Sequence, residues 1–438
     1  MKVNYFKTLK SPYILPAILT IILIVISFKN DFIPIYSFVL AVSFLIILRY
    51  PELSATLFIT GGLIFSTIYH VLEITHISLL ASIFGLLFVG FFTSWLKNNN
   101  TYALKEKPKF ALILTVLIFL VLLFQTYRSP AFAYGKSKTL HYIINNCMFF
   151  LIPFIIFSSQ KSLANIYKYG AILNVIFVLL SLIALYEYGA GARFDASGRY
   201  SVIIFARVLG LSIIFTLFAL KNQSGIFLKI IYSISIMASL IFMDLSGSRG
   251  PLLLFLLSLL VYYLIFSKAK FQRKLVFASF SIILAYYSIV YLFPTVYDRF
   301  TLLRNDYSVL LRLYSYAKAG EYFLQSPIFG WGTGSFMVLV NEWQKYPHNI
   351  FFEFAMETGL LGLGLFTVFC TYIFYKFISI GKKYYNSHLF DLYGVTFIVF
   401  LFGFFTAQKS LDISYNPLLW FGAGALTIFQ QDSRKGIN

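Results

Sequence analysis

The sequence consists of long apolar segments separated by short polar connectors. Most segments are about 17 to 25 residues long, enough to cross the ~30 Å hydrocarbon core of a bilayer at 1.5 Å per helical residue. They do not alternate apolar and polar residues as strands of a membrane barrel do, so the pattern predicts spanning helices. Fourteen spans are predicted: Tyr13–Phe28, Ile33–Leu48, Leu53–Tyr69, Ile77–Leu96, Phe110–Tyr127, Leu140–Ser158, Tyr167–Tyr186, Ser201–Leu220, Ile226–Met243, Pro251–Phe266, Leu275–Phe293, Ile350–Ile378, Leu389–Ala407 and Asn416–Phe429.

The charges of the connectors predict which side of the membrane each one faces. Every second connector is rich in Lys and Arg and is predicted to be cytoplasmic, as are both termini. The connectors between them carry mixed charges and are predicted to face outward; one of these holds Arg128, Lys136 and Lys138. Another is the connector 294–349, whose length is typical of a functional loop. The expectation is an all-α polytopic membrane protein, a single transmembrane domain over residues 1–438 with 294–349 as a catalytic or substrate-binding insertion.

Composition agrees with this picture and narrows the partners. The chain is 59% hydrophobic and 12% charged, which excludes an ordinary soluble domain. Its formal charge of +19 lies in short connectors, not in one stripe or arm, so it indicates membrane topology and anionic lipids and argues against nucleic acid. The two cysteines both fall in apolar segments, so no disulfide framework and no metal site are predicted.

The first candidate for chemistry is the outward turn Asp244–Pro251. Gly247 and Gly250 allow unusual backbone angles, and proline suits the first turn of the next helix. Arg249 then lies at a helix N-terminus, where backbone N–H groups already favour an anion. The turn predicts a phosphate site; an arginine that reaches to lipid headgroups is the alternative.

The second candidate is Arg312, in the long external loop. It belongs to a segment with helical spacing of apolar residues that is expected to lie on the membrane surface or to cap a cavity. A planar guanidinium suits a diphosphate better than an ammonium does. For Arg299 and Arg304 in the same loop, a solvated helix face is the favoured interpretation.

Two further stretches of the loop have distinct patterns. The glycines of Ser326–Phe336 occupy every second position, but no Lys-Ser or Lys-Thr follows them, so the stretch is predicted to be a bent turn that folds the loop onto the helices, not a phosphate loop. After it comes His348 at the outer boundary, for which a structural role is the alternative to a catalytic one, followed by Asn349 as a helix cap. Glu353 and Glu357 share one helix face with Asn349 and are expected to point into the bundle or into a wet cavity.

Arginines near the eighth span complete the candidates. Arg193 and Arg199 lie on the outward side, and Arg207 lies about two turns inside the span. A guanidinium at that depth needs a buried acceptor. Glu187, Glu357 and a ligand phosphate are all candidates, and a structural ion pair is an equal alternative to a functional one.

The order of these motifs resembles that of a known family. Ser-Gly-Ser-Arg-Gly at 246–250, Arg312-Leu-x-x-Tyr-x-x-Ala before Pro327-x-x-Gly-x-Gly, and Pro347-His-Asn-x-x-x-Glu-x-x-x-Glu-x-Gly resemble the bacterial O-antigen ligase and polymerase superfamily. Arg199, followed by ten residues and Gly210, is similar to a looser pattern of the polymerases. The resemblance covers roughly Ser201–Leu365.

The resemblance implies a GT-C-like membrane glycosyltransferase that needs no cofactor or metal. It would act on an undecaprenyl-diphosphate-linked glycan at the outer face of the bacterial cytoplasmic membrane. Arg249 and Arg312 would bind the diphosphate, joined by Arg207 and Arg199, and His348 would be catalytic, with Glu357 or Glu353 orienting it or sharing its role. The acceptor is a second glycan for a polymerase, which the number of spans favours, or lipid A core for a ligase; a chain-length regulator is a further partner. A transporter (flippase) of the same lipid-linked glycan is the alternative from another class, and a structural subunit is the third.

Overall fold

The computed structural model describes residues 45–46, 49–60, 109–157, 159–189, 194–196, 202–292, 297, 307–340, 345–409 and 412–432. The four predicted spans before Phe110 lie outside the described residues, apart from 45–46 and 49–60. Arg193, Arg199, Arg299 and Arg304 lie outside them as well. Within the described ranges the chain is helical and contains no strand, which confirms the all-α prediction.

Every predicted span from Phe110 onward corresponds to one described helix. Among the described residues, eight helices are long and apolar enough to cross a membrane, namely α1 to α6, α9 and α10 in the numbering below. The count of fourteen therefore stays a prediction for the whole chain. The helices are α1 Lys109–Arg128, α2 Phe132–Ile156, α3 Gln160–Tyr188, α4 Val202–Lys221, α5 Ile226–Leu245, α6 Arg249–Phe266, α7 Phe271–Leu292, α8 Tyr307–Gln325, α9 Ile350–Tyr384, α10 Phe390–Ala407 and α11 Pro417–Asp432.

One prediction about these helices is wrong. Lys136 and Lys138 are predicted to lie in a connector, but α2 begins at Phe132 and contains both, with Lys138 2% exposed; that this end of α2 faces outward stays a prediction. Hydropathy counts a lysine as a polar break, whereas the pairing of Lys138 with buried carboxylates makes it part of the packed helix.

The helices pack as two compact units. One unit contains α3, α4, α5, the residues of α6 up to Phe255 and the residues of α7 from Ile283. The other contains α1, α2 up to Phe154, the rest of α6 and α7, and α8 to α11. The expectation of a single membrane domain with a catalytic loop stays a prediction.

Polar side chains hold the first unit together in its apolar interior. The side-chain amide of Asn174 in α3 donates to the hydroxyl of Thr216 in α4 at 3.1 Å and to that of Ser235 in α5 at 3.4 Å. Its carbonyl oxygen accepts from the hydroxyl of Ser239 at 3.2 Å. Such interhelical bonds hold membrane helices together where the hydrophobic effect contributes little.

A broken helix organises the second unit. The backbone of α9 leaves the helical conformation at Gly359, with φ 64° and ψ −160°. The loop 326–334 lies in the break, where the N–H groups of Trp331 and Gly332 donate to the carbonyls of Met356 and Glu357, both at 2.9 Å. The N–H of Leu360 donates to Pro327 O at 2.7 Å. A break at membrane depth requires such partners for its backbone groups, so the predicted turn onto the helices is confirmed.

Glycines make this close approach possible. Gly330, Gly332 and Gly334 all have positive φ, between 67° and 98°. A Cβ on Gly330 would lie 2.6 Å from backbone atoms of residues 357–359, and a Cβ on Gly359 would overlap the backbone of Ile328. The loop 326–334 and the break at Gly359 are therefore sterically complementary.

We expect Gly359→Ala to be strongly destabilising. An alanine at a φ of 64° costs ~1–3 kcal/mol in backbone strain, and the overlap with Ile328 adds to this. Gly364→Ala is the matched control, because Gly364 lies in the same helix with open space around it; there we expect a gain of ~0.5–1 kcal/mol. Unfolding of the detergent-solubilised variants measures both effects. Equal stability of the two variants would contradict the close contact between Gly359 and the loop 326–334.

Candidate active site

His348 lies just before α9 in a strained conformation. Its φ is 62°, and it is the one non-glycine residue with positive φ in the part of the chain that the structure describes. Such strain is typical of functional positions, where the surrounding structure enforces it. The ring is partly buried, and its Nδ1 atom is buried without a hydrogen-bond partner. Tyr346 packs edge-on against it, with 4.6 Å between ring centroids.

The surroundings of His348 favour the neutral imidazole. Burial and, after it, the positive charge of Arg312 lower the pKa of His348 from 6.5 to about 4. A neutral imidazole has one ring nitrogen able to accept a proton. The site therefore holds an unprotonated base beside a permanent cation.

Arg312 is positioned by packing between α8 and α9. Tyr316, one turn further along α8, stacks on Phe352 of α9 with 5.1 Å between ring centroids and an interplanar angle of 10°. Burial raises the pKa of the Tyr316 phenol, and the charge of Arg312 acts on it in the opposite direction. The predicted helix around Arg312 is confirmed, and the structure brings Arg312 near His348.

The two glutamates are fully buried, as predicted, and their partner is Lys138. The ammonium of Lys138 donates to both oxygens of Glu357, at 2.7 and 2.8 Å, and to Oε1 of Glu353. That Glu353 or Glu357 orients His348 stays a prediction. Sequence reasoning missed Lys138, although two carboxylates on one face of an apolar helix signal a buried cation, and Lys138 is a lysine beside the start of a predicted span.

Arg249 and Arg207 belong to the first unit. Arg249 is the first residue of α6, directly after the turn in which Gly247 has a φ of 60°, so the predicted helix start is confirmed. Arg249 is 8% exposed, and Arg207 is 6% exposed within α4. Glu357, one of the acceptors considered for Arg207, is bonded to Lys138. The roles of both arginines stay predictions.

Comparison with known families agrees with the order of these motifs. Residues 234–367 match the family model described as O-Antigen ligase. This match supports the resemblance of the chain to the O-antigen ligase and polymerase superfamily. The comparison with curated proteins finds no match.

The segment that matches the O-antigen ligase model contains most of the candidate residues. It includes Arg249, Arg312, His348, Glu353 and Glu357, which lie between positions 234 and 367. Lys138 and Arg207 precede it. Together with the eight apolar helices among the described residues, the match to this family model indicates a multi-pass membrane protein.

Within this segment, Asn349 fixes the backbone next to His348. Its side-chain oxygen accepts from the N–H groups of Phe351 and Phe352, at 2.9 and 3.3 Å, which confirms the predicted cap. Its amide nitrogen donates to Gln408 O at 3.1 Å, just after α10. Asn349 thus ties the start of α9 to the end of α10.

We expect Asn349→Asp and Asn349→Ala to separate these two bonds. Aspartate keeps the cap but loses the bond to Gln408, whereas alanine loses both and costs ~0.5–2 kcal/mol of stability from the cap alone. If the bond to Gln408 positions His348, the aspartate variant keeps its stability yet loses kcat. Thermal unfolding and turnover of both variants show whether the bond to Gln408 positions His348. Full turnover in Asn349→Asp would show that the helix cap alone positions it.

Proposed function

We propose that the chain is a GT-C-like membrane glycosyltransferase that polymerises an undecaprenyl-diphosphate-linked glycan, as an O-antigen or capsule polymerase. It would act at the outer face of the bacterial cytoplasmic membrane, with both termini in the cytoplasm. The observation that carries the proposal is the neutral, strained His348 beside Arg312 within an O-antigen ligase segment. A base next to a cation suits a reaction in which a hydroxyl loses a proton while an anion leaves.

The proposed reaction is a single displacement at an anomeric carbon. An acceptor sugar hydroxyl attacks the carbon, His348 takes the hydroxyl proton, and the bond to the lipid diphosphate breaks, with its electron pair staying on the diphosphate. A single displacement inverts the anomeric centre. Arg312 and Arg249, with Arg207 and Arg199 as further contacts, stabilise the leaving charge, the role that preorganised cations fill most effectively. The proposal uses guanidinium groups in place of a metal ion.

The charge of Arg312 near His348 would couple donor binding to proton transfer. The charge of Arg312 is one of two causes that lower the pKa of His348 to about 4. A diphosphate on Arg312 would offset that charge, and the pKa of His348 would rise toward its ordinary value. The base would then be strongest when the donor is bound.

Ligation to lipid A core is the second candidate function, and the match to an O-antigen ligase model favours it. The two reactions share donor and chemistry and differ in the acceptor. A flippase would need cations available to an anion through the bundle, whereas the buried Lys138 is bonded to two carboxylates.

The test is to incubate purified protein with lipid-linked repeat units. A ladder of longer glycans from these units alone supports a polymerase, and a product that forms only after core lipid is added supports a ligase. No glycan transfer in either mixture, with protein that is folded by its unfolding profile, would overturn the proposal.

We expect Arg312→Lys to impair transfer although it keeps the charge. An ammonium cannot make the paired bonds of a guanidinium, and losing one bond to a charged group, worth ~1.5–3 kcal/mol, lowers kcat/KM roughly 10- to 100-fold. Lys318→Ala is the control, because Lys318 lies in the same helix and pairs only with exposed Glu321 at 2.8 Å. Steady-state kinetics measure both, and wild-type kcat/KM for Arg312→Lys would contradict paired binding.

A further inference from the structure

The cluster of Lys138, Glu353 and Glu357 is unbalanced in charge if each group is ionised. It contains one ammonium and two carboxylates, and the three side chains are 2%, 0% and 0% exposed. A net negative charge enclosed in an apolar bundle is costly. Buried carboxyl groups relieve that cost by taking up a proton.

The groups around the cluster do not restore the balance. Asp412, 3% exposed, contributes more negative charge from the connector before α11. Tyr134 of α2 is uncharged and donates to Asp412 at 3.4 Å. Thr126 of α1 is neutral and bonds the hydroxyl of Thr139. Lys345 approaches the Tyr134 ring at 6.0 Å but is solvent-exposed, so water screens its charge.

The two carboxyl groups differ in their hydrogen bonds. Glu357 accepts twice from Lys138, at 2.7 and 2.8 Å, and the N–H of Gly334 also faces it. Glu353 accepts from Lys138 through Oε1 alone, and its Oε2 atom is buried without a partner. Buried polar atoms are normally hydrogen-bonded. The hydrogen bonds around Glu357 therefore suit an ionised carboxylate, whereas those around Glu353 suit a protonated carboxylic acid.

We propose that Glu353 binds a proton at neutral pH, so that the cluster consists of an ammonium, a carboxylate and a carboxylic acid. The proton comes from solvent and adds to a carboxylate oxygen of Glu353, and no other bond forms or breaks. The cluster lies next to the break in α9, which the loop 326–334 fills, and retention of the proton makes the net charge of Lys138, Glu353 and Glu357 zero. The proposal stands apart from the proposed glycosyl transfer.

Infrared spectroscopy tests whether the proton is present. Solubilised protein at neutral pH is expected to show the carbonyl stretch of a protonated carboxylic acid, and Glu353→Gln is expected to lack it. Glu321→Gln, which removes an exposed carboxylate in α8, is the control and keeps the band. A wild-type spectrum without the band, or a band that survives in Glu353→Gln, overturns the proposal.

The pH dependence of unfolding gives a second, quantitative test. An unfolded glutamate loses its proton near pH ~4.3, whereas folded Glu353 keeps its proton, so the folded state binds one proton more and its stability falls as pH rises. Between pH 5 and 7 the folding equilibrium constant of wild type should fall about tenfold per pH unit relative to Glu353→Gln. The other titrating groups are the same in both proteins, so their contributions to the pH dependence cancel in the comparison. Parallel pH dependences would refute the extra proton.

Matched variants test which carboxyl carries the proton. Glutamine imitates a carboxylic acid, so at pH 7 Glu353→Gln should unfold at the same denaturant concentration as wild type or at a higher one. Glu357→Gln removes the carboxylate that accepts two bonds from Lys138 and should unfold earlier. If Glu353→Gln does not fold, or loses as much stability as Glu357→Gln, the assignment to Glu353 is wrong.

Discussion

Replacing His348 with glutamine is expected to lower the rate of glycan transfer by about 10²- to 10⁴-fold, the range that general-base catalysis contributes. Glutamine keeps a polar side chain but cannot accept a proton at neutral pH. KM for the donor should change little, because the proposed mechanism assigns diphosphate binding to the arginines and not to His348. Single-turnover assays with lipid-linked repeat units measure the chemical step.

His388→Gln is the matched control for this prediction. His388 is exposed on the connector between α9 and α10, so its loss should leave the rate unchanged. Unfolding of His348→Gln must also be compared with wild type, because glutamine at a φ of 62° keeps the backbone strain. A folded His348→Gln variant with wild-type turnover would remove the proposed base.

The pH profile offers an independent check on the same residue. Because the pKa of His348 is lowered to about 4, the free enzyme keeps its base unprotonated well below pH 6.5. We therefore expect the acid limb of kcat/KM to lie near pH 4 to 5. The free energy of unfolding should also depend on His348. Between pH 6.5 and 4 the histidine of the unfolded chain binds a proton that the buried ring of the folded protein does not bind, so the folded protein becomes less stable as the pH falls. A fall of kcat/KM that begins at pH 6.5 would contradict the lowered pKa of the buried His348 ring.

Replacing Lys138 with methionine is expected to give the largest loss of stability. Methionine has a similar length, but its thioether cannot donate, so Glu353 and Glu357 lose the ammonium that binds both. Breaking a buried ion pair by removing one partner costs ~3–5 kcal/mol. Denaturant unfolding in mixed micelles measures the change.

Two variants show whether the loss comes from uncompensated charge. Lys136→Met removes the same charge from an exposed position of the same helix and should change stability by less than ~0.5 kcal/mol. The triple variant Lys138→Met, Glu353→Gln, Glu357→Gln removes the whole cluster and should recover much of the loss, since a neutral replacement of a buried pair is often tolerated. If the triple variant is as unstable as Lys138→Met, packing and not charge is responsible.

The sequence predicted elements whose signal is local. Apolar length located α1 to α7 and α9 to α11, the helical spacing of apolar residues located α8, and the cap at Asn349 followed from the residue type. The turn at 326–334 followed from its glycines, which adopt the positive φ that such a turn needs. Burial of Glu353 and Glu357 followed from their spacing on one helix face.

Features that depend on distant contacts were missed. Lys138 lies 215 positions before Glu353, and although the two carboxylates signal a buried cation, the sequence does not show which lysine or arginine it is. The break at Gly359 exists because the loop supplies hydrogen bonds to both sides of it, and a glycine inside an apolar segment is by itself compatible with an unbroken helix. The strained backbone of His348 likewise results from the packing around it.

The pairing of α2 with α9 has a consequence for biogenesis. At a translation rate of ~5–20 residues per second, the 215 positions between Lys138 and Glu353 take roughly 10 to 40 seconds to synthesise. During that delay the ammonium lacks its partners Glu353 and Glu357, and an unpaired lysine inside the bilayer costs up to ~2.5–3.5 kcal/mol on the translocon scale. We expect α2 to leave the translocon at a shallow depth, with its lysine in the headgroup region, and to reach its final position only when α9 emerges.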